Sequence, residues 1–241
     1  MRSTSRFERK YRLSVADYFR VRNTVRAFMQ PDHYTRQGGG QYLVHSLYYD
    51  THDYRAFQER NDGDYGRIKL RIRVYTDSPC KESAVRAELK TKKGSLMEKH
   101  SSFASFRQYV HFCKHGSWDS PDDPVLVEFE RLVRARNLEP TLLVQYRREG
   151  YRARDGLHSV RLTLDHNVHS TRARELFPRD HVLKPHRPRH IVLEIKTARR
   201  EEPEWLRGII RRHSLKAEPN SKYVQGIEII RPHMVTEHGP V

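Results

Sequence analysis

The chain has 241 residues, 36 % of them hydrophobic and 32 % charged, and a formal net charge of +16. The length admits one large domain or two small ones, and the charge argues for a polyanionic partner: nucleic acid, an anionic membrane or a phosphorylated ligand. Two cysteines, Cys80 and Cys113, exclude a disulfide framework and a four-cysteine zinc site; with no signal-peptide core and no stretch of transmembrane length, a soluble chain in a reducing cytoplasm is expected.

Residues 6–13 alternate as a strand, with Arg6, Glu8, Lys10 and Arg12 on one face and Phe7 and Tyr11 on the other. Ser14 is a plausible N-cap for a helix over 15–29, in which Val15, Phe19, Val25 and Phe28 fall near helical spacing. The "QGGGQ" at 37–41 is a loop, and a strand over 42–49 and a short helix over 52–61 follow. Residues 67–75 form the most regular strand: Arg67, Lys69, Arg71 and Arg73 share one face, and Ile68, Leu70, Ile72 and Val74 the other. Strands are expected over 84–92 and 95–102, helices over 105–112 and 128–137, and strands over 141–150, 159–165 and 190–197. Helical patterns close the chain at 202–215 and 221–230. Several strands follow one another directly, which favours an antiparallel α+β domain over a doubly wound sheet.

The basic strand is not alone. Arg86, Glu88, Lys90 and Lys92 share a face, as do Arg161, Thr163 and Asp165, and Glu194 with Lys196. One charged strand face is usually a solvated face. Five from one domain would make either a broad cationic plate or, in a closed barrel, a basic lining. Such a lining is tolerable only if it is wet or filled by an anion. A narrow, highly charged anion such as polyphosphate or a nucleoside triphosphate fits. A carboxylate among phosphate-binding cations repels the ligand unless it holds Mg²⁺ or Mn²⁺. The alternative for each carboxylate is an ion pair with a neighbouring cation.

At this point the residues resemble a known family. "RFERKY" (6–11), "SLYYDT" (46–51), "KLRIRVY" (69–75), "ELKTKK" (88–93), "MEKHSSF" (97–103), "VQYRREGY" (144–151), "VRLTLD" (160–165), "VLEIKT" (192–197) and "SKYVQGI" (221–227) occur in the order seen in VTC-type polyphosphate polymerase domains of the triphosphate tunnel metalloenzyme superfamily. The resemblance covers about residues 6–230 and implies a single domain: a closed antiparallel eight-stranded β-tunnel, or barrel, with helices packed outside. It implies that Lys10, Arg71, Arg73, Lys90, Lys99, Arg148, Arg161, Lys196, Ser221 and Lys222 bind phosphate. Among these, Arg71, Arg73 and Lys90 are expected to act in catalysis with Glu194. Glu194 is the expected metal ligand, with Glu8 and Asp165 as lesser ones. Strict alternation puts Arg147 rather than Arg148 on the face of Gln145 and Glu149, so the choice of Arg148 rests on the motif. The first-strand motif has Arg6 where the wider superfamily has a glutamate, which leaves fewer carboxylates there.

The implied activity is transfer of the γ-phosphoryl group of a nucleoside triphosphate onto a growing polyphosphate chain, with Mn²⁺ or Mg²⁺. The alternatives are a triphosphatase of the same fold, a polyphosphate binder without activity, and a nucleic-acid binder. The last is disfavoured because the basic faces carry almost no aromatic residues to stack bases. Trp118 and Trp205 are expected to pack rather than stack on a ligand. His111, Cys113 and His115 form only a weak metal signature.

Overall fold

The computed structural model describes residues 7–61, 66–78, 80, 83–93, 96–153, 160–198 and 202–233. Arg6 and the side chain of Lys92 lie outside the described residues. The elements are β1 (Phe7–Ser14), α1 (Val15–Phe28), β2 (Met29–Pro31), α2 (His33–Gln37), β3 (Tyr42–Asp50), α3 (Arg55–Asn61), β4 (Gly66–Val74), β5 (Ala84–Lys93), β6 (Leu96–Ser105), α4 (Phe106–His115), α5 (Pro124–Ala135), β7 (Glu139–Ala153), β8 (Val160–Arg172), β9 (Lys184–Pro185), β10 (His190–Thr197), α6 (Glu204–Arg212) and α7 (Lys222–Ile230). All eight expected strands form. The short β2 and β9 are additions: β2 pairs with β7 and β9 with β8. These partners help extend β7 and β8 beyond the apolar runs that announced them.

The sheet follows the hydrogen-bonded order β1-β10-β8-β7-β3-β4-β5-β6, and every pairing with a described register is antiparallel. Among the described residues β1 and β6 stand at the two ends of this path. The expected closed barrel is therefore not a feature of the hydrogen bonding. By its internal contacts the chain divides into two compact units, each assembled from three separate segments.

The first unit takes residues 1–43, 146–168 and 187–221. Its apolar strand face (Tyr11, Leu13, Leu162, Leu164, Leu193 and Ile195) is covered by α1 and α6 through Tyr18, Val21, Val25, Leu206 and Ile209. Ser14 caps α1 as its sequence predicts, accepting from the Asp17 amide at 3.1 Å. The helix presents a different stripe from the expected one. Val25 is buried, but Val15, Phe19 and Phe28 are 44 %, 53 % and 42 % exposed. Tyr18 takes an inner position because its hydroxyl reaches the buried Glu149 at 2.5 Å.

The second unit takes residues 44–145, 169–186 and 222–241. Here Leu70, Ile72, Val74, Val85, Ala87 and Leu89 meet Tyr109, Phe112, Leu126, Phe129 and Leu132 of α4 and α5. Trp118 belongs to this core, stacked on Phe112 at 4.4 Å. Helix α5 starts four residues earlier than its apolar spacing suggested. Asp123 caps it by accepting from the Val125 amide at 2.7 Å, and Pro124 stands in the first turn, where a missing N–H costs nothing. Helix α4 opens on a Ser105/Gln108 capping box and ends at Gly116, whose φ of 66° suits glycine.

Candidate phosphate and metal sites

In the second unit the register of β4, β5 and β6 turns alternation into rows. Lys69 lies opposite Lys90 and Lys90 opposite Lys99; Arg71 lies opposite Glu88 and Glu88 opposite Ser101; Arg73 lies opposite Arg86. On the other side of β4, Tyr48 of β3 is opposite Arg71 and Ser46 opposite Arg73. Directly opposed residues project to the same sheet face, and like charges so placed destabilise a sheet. This face carries two such rows.

Glu88 is the centre of the cluster, at 2 % exposure. The Arg71 Nε donates to its Oε2, Lys99 Nζ donates to its Oε1 at 2.6 Å, and Arg73 and Arg86 lie 3.9 and 3.8 Å away. Further bonds fix the guanidiniums: Arg71 to the Tyr48 hydroxyl at 2.9 Å, Arg73 to Ser46 Oγ at 3.0 Å and Arg86 to Ser101 Oγ at 2.9 Å. Burial alone would push the Glu88 carboxyl up, but the charges of Arg71, Arg73 and Lys99 outweigh it and hold it well below the usual range. Burial pushes the Lys99 ammonium down to about 7, assisted by Arg71 and Arg73 and opposed by Glu88. Its side chain is still 43 % exposed, so solvent screens part of that effect. Tyr48 is also lowered: burial would raise it, and Arg71, Arg73 and Lys222 overcome burial.

Helix α7 begins at this face. Lys222 is its first residue, and the Tyr223 hydroxyl donates to the Asp50 carboxylate at the end of β3. The Tyr223 ring lies 5.3 Å from that of Tyr48 and 5.2 Å from Lys69 Nζ. Aromatic rings are thus closer to the basic face than alternation suggested. Tyr48 and Phe103 sit beneath the guanidiniums of Arg71 and Arg86 at 5.6 and 5.1 Å. They act as supports for cations.

In the first unit β1, β10 and β8 make a second cluster. Glu8 is opposite Lys196, Lys10 opposite Glu194, Glu194 opposite Thr163 and Lys196 opposite Arg161. The four charges of β1 and β10 form a checkerboard. Lys196 Nζ is 2.6 Å from Glu194 and 3.5 Å from Glu8, and Lys10 Nζ is 3.0 Å from Glu8 and 4.0 Å from Glu194. Lys10 also donates to the Asn220 carbonyl at 2.8 Å, and Ser221 follows it in the chain. Arg148 is buried and grips Asp165 with two bonds of 2.5 and 2.8 Å, whereas Arg147 is exposed. Tyr146 lies under the Arg148 guanidinium at 5.1 Å. Arg148 therefore turns toward Asp165, while Glu149 turns toward Tyr18 and Arg22 of α1. Both oxygens of Asp165 are engaged by Arg148. Arg161 reaches Asp32 at 3.3 Å.

The fit of this cluster to a hard divalent ion rests on its donors. Glu194 and Glu8 offer carboxylate oxygens, and across from Glu194 the buried Thr163 Oγ1 has no hydrogen-bond partner. Oxygen donors suit Mg²⁺ or Mn²⁺, which keep several water or phosphate ligands. Among the described residues no three His, Cys, Asp or Glu side chains gather as a ready-made metal cage. The His111 and His115 rings lie 4.4 Å apart, tilted by 36°, and among the described residues no third ligand of that kind joins them.

Two open clefts in the second unit lie apart from the basic rows. One of about 280 Å³ is lined by His52, Tyr54, Glu139, Arg172, Arg231 and others; one of about 600 Å³ lies along 171–182 beside Cys113. Glu88 and Glu149 are buried carboxylates outside the expected site residues. Glu88 was visible as the lone acid on a face of cations. Glu149 was not, because its partners Tyr18, Arg22, Gln41 and Tyr151 converge only through the fold.

The description of the VTC domain matches residues 5–231. Among solved structures, a proposed adenylate cyclase of Bacillus halodurans superposes with a TM-score of 0.56 at 15 % identity, covering 93 % of this chain and 98 % of its own. A Pyrococcus horikoshii OT3 protein gives a TM-score of 0.45 at 14 % identity, covering 96 % of this chain and 100 % of its own. The likeness to the Bacillus halodurans structure is one of fold. No curated protein matches the chain.

Proposed function

The chain belongs to the VTC domain family, part of the triphosphate tunnel metalloenzyme fold family, and on that premise we propose that it is a polyphosphate polymerase. The observation that carries this reading is the Glu88 cluster: Arg71, Arg73, Arg86 and Lys99 surround one buried carboxylate, and a lysine row adjoins it. The cluster's cationic groups outnumber its one buried carboxylate, which supports an oligophosphate as their ligand.

In this reading Arg71 and Arg73 grip phosphate oxygens with geometry fixed by Tyr48, Ser46 and Glu88, and Lys90, Lys99 and Lys222 add point charge. Lys10, Arg148, Arg161, Lys196 and Ser221 are assigned to phosphate by their motif positions. Glu194, with Glu8 and the Thr163 hydroxyl near it, would hold Mg²⁺ or Mn²⁺, which supplies charge neutralisation at phosphate oxygens. Asp165 contributes by fixing Arg148. The terminal oxygen of a polyphosphate chain attacks the γ-phosphorus, the bond to the bridging oxygen breaks, and nucleoside diphosphate leaves. Phosphoryl transfer of this kind needs positioning and electrostatic stabilisation more than covalent chemistry. Both cysteines are free thiols, which suits a reducing, cytoplasmic compartment. Among the described residues no helix is long and apolar enough to cross a membrane.

The test is incubation with ATP and Mn²⁺ or Mg²⁺, followed by assay of both polymer and free phosphate. Polyphosphate accumulation supports the polymerase. Phosphate release without polymer makes the protein a triphosphatase, and neither product leaves a binder.

A further inference from the structure

Helix α2 is five residues long, and the carboxylate that precedes it is held from several sides within the first unit. Asp32 is 3 % exposed. Its Oδ1 accepts from the Thr35 amide at 2.9 Å and from the Thr35 hydroxyl at 2.8 Å, which caps the helix. The backbone fixes the same corner. The Asp32 amide donates to the Gly150 carbonyl at 2.8 Å, and the Gly150 amide donates to Thr35 Oγ1 at 2.7 Å. Glycine at 150 leaves the room for this clasp: a Cβ there would stand 2.1 Å from Asp32 Oδ2.

The cap uses Oδ1 and does not account for Oδ2. That second oxygen faces β8, where Arg161 Nη2 donates to it at 3.3 Å. The pair is unequal, because the Asp32 side chain is 2 % exposed and that of Arg161 42 %. A fixed carboxylate thus holds one end of a guanidinium that otherwise reaches solvent. Among the described residues the buried Arg161 Nε has no hydrogen-bond partner, and Lys196 lies opposite Arg161 on β10. A buried donor without an acceptor calls for an explanation. A guanidinium pinned at Nη2, with Nε still able to donate and a second cation across the strand, is prepared for an anionic oxygen.

We propose that Asp32 is a positioning residue: its Oδ2 pins Arg161 so that the rest of the guanidinium meets a phosphate oxygen of the oligophosphate. The proposal rests on the phosphate-binding reading of Arg161 and adds to it a residue outside the basic strands. Asp32 acts through the arginine, by removing beforehand the rotamer freedom that Arg161 would otherwise lose on binding.

The test is calorimetric binding of a non-hydrolysable triphosphate to the full chain in a double-mutant cycle of Asp32→Asn and Arg161→Gln. Asparagine caps a helix as well as aspartate and keeps an oxygen for Thr35, but its amide nitrogen cannot accept from Arg161. Asp32→Asn is expected to weaken affinity about five- to tenfold, with little change in melting, and to have no further effect once Arg161 is glutamine. Should it melt early, Asp32→Ser, which also caps, gives the same comparison well below its melting temperature. Parent-like affinity of the Asp32 variants, or an equal loss in both backgrounds as a merely structural role would give, overturns this inference and leaves the phosphate site in place. A parent whose affinity is unchanged by Arg161→Gln removes Arg161 from the phosphate-binding set and this inference with it. A parent that binds no triphosphate overturns the phosphate reading as well.

Discussion

Arg71 and Glu88 face each other across β4 and β5, and the arginine Nε donates to a carboxylate that is almost wholly buried. The carboxylate thereby sets the direction of a guanidinium that remains partly open to solvent. Removing its charge while keeping its shape separates the two roles. Glu88→Gln leaves Arg71, Arg73, Arg86 and Lys99 to repel one another. A loss of about 3 kcal/mol of stability is expected in chemical denaturation, and a variant as stable as the parent would show that the cluster is solvated.

Arg71→Lys keeps the positive charge but loses the fork that reaches Glu88 and Tyr48 together. The expectation is a kcat/KM on triphosphate reduced by about 10- to 100-fold, with little change in Tm. Steady-state kinetics with a melting curve decides it. Unchanged kinetics would remove Arg71 from the phosphate-binding set.

On the proposed reading, Lys99 should make phosphate affinity depend on pH near neutrality. Its ammonium, pushed down to about 7, loses its proton as pH rises through that value, and the cluster loses a positive charge. Affinity for a non-hydrolysable triphosphate, measured by calorimetry, should therefore fall between about pH 6 and 8.5. Lys99→Arg, charged throughout, should flatten the profile.

Glu194→Gln should abolish metal-stimulated turnover while triphosphate binding survives, because the lysines and arginines around it are untouched. Manganese titration followed by electron paramagnetic resonance, beside an activity assay, tells the two apart. Metal binding equal to that of the parent would send the search for a ligand elsewhere.

Acid stability should be governed in part by two histidines of the second unit. Burial lowers both His45 and His186 to about 4, whereas the unfolded chain binds protons at about 6.5. Below 6.5 the unfolded state takes up more protons, so this stability is complete above 6.5 and lost as pH falls toward 4. For the more buried His45 the loss is on the order of 1–3 kcal/mol. His45→Phe should reduce the slope of denaturation midpoint against pH in that window; an unchanged slope would show that other groups dominate.

The strands were readable because their period-two signal is strong and unbroken, as in Ile68-Leu70-Ile72-Val74, all in or against the core. The clusters were partly readable for the same reason: alternation alone puts Glu88 among cations. Register was not, and register is what sets Lys69, Lys90 and Lys99 in one row. The stripe of α1 was misjudged because apolar residues occur all around it, and what selects the inner side is a polar contact, Tyr18 with Glu149, 131 residues away in the chain. Similarly, Arg148 rather than Arg147 turns toward Asp165. Alternation alone points to Arg147, and only the motif resemblance picks Arg148, whose partner Asp165 lies on another strand.

The row of three lysines across β4, β5 and β6 also bears on how the protein is handled. Lysines held abreast repel one another when all are charged, so on the proposed phosphate-binding reading a polyanion that binds the row should also stabilise the fold. Buffer choice then becomes an experimental variable: melting in pyrophosphate should exceed melting in an amine buffer of equal ionic strength. Equal melting in the two buffers would argue against a phosphate site at this row.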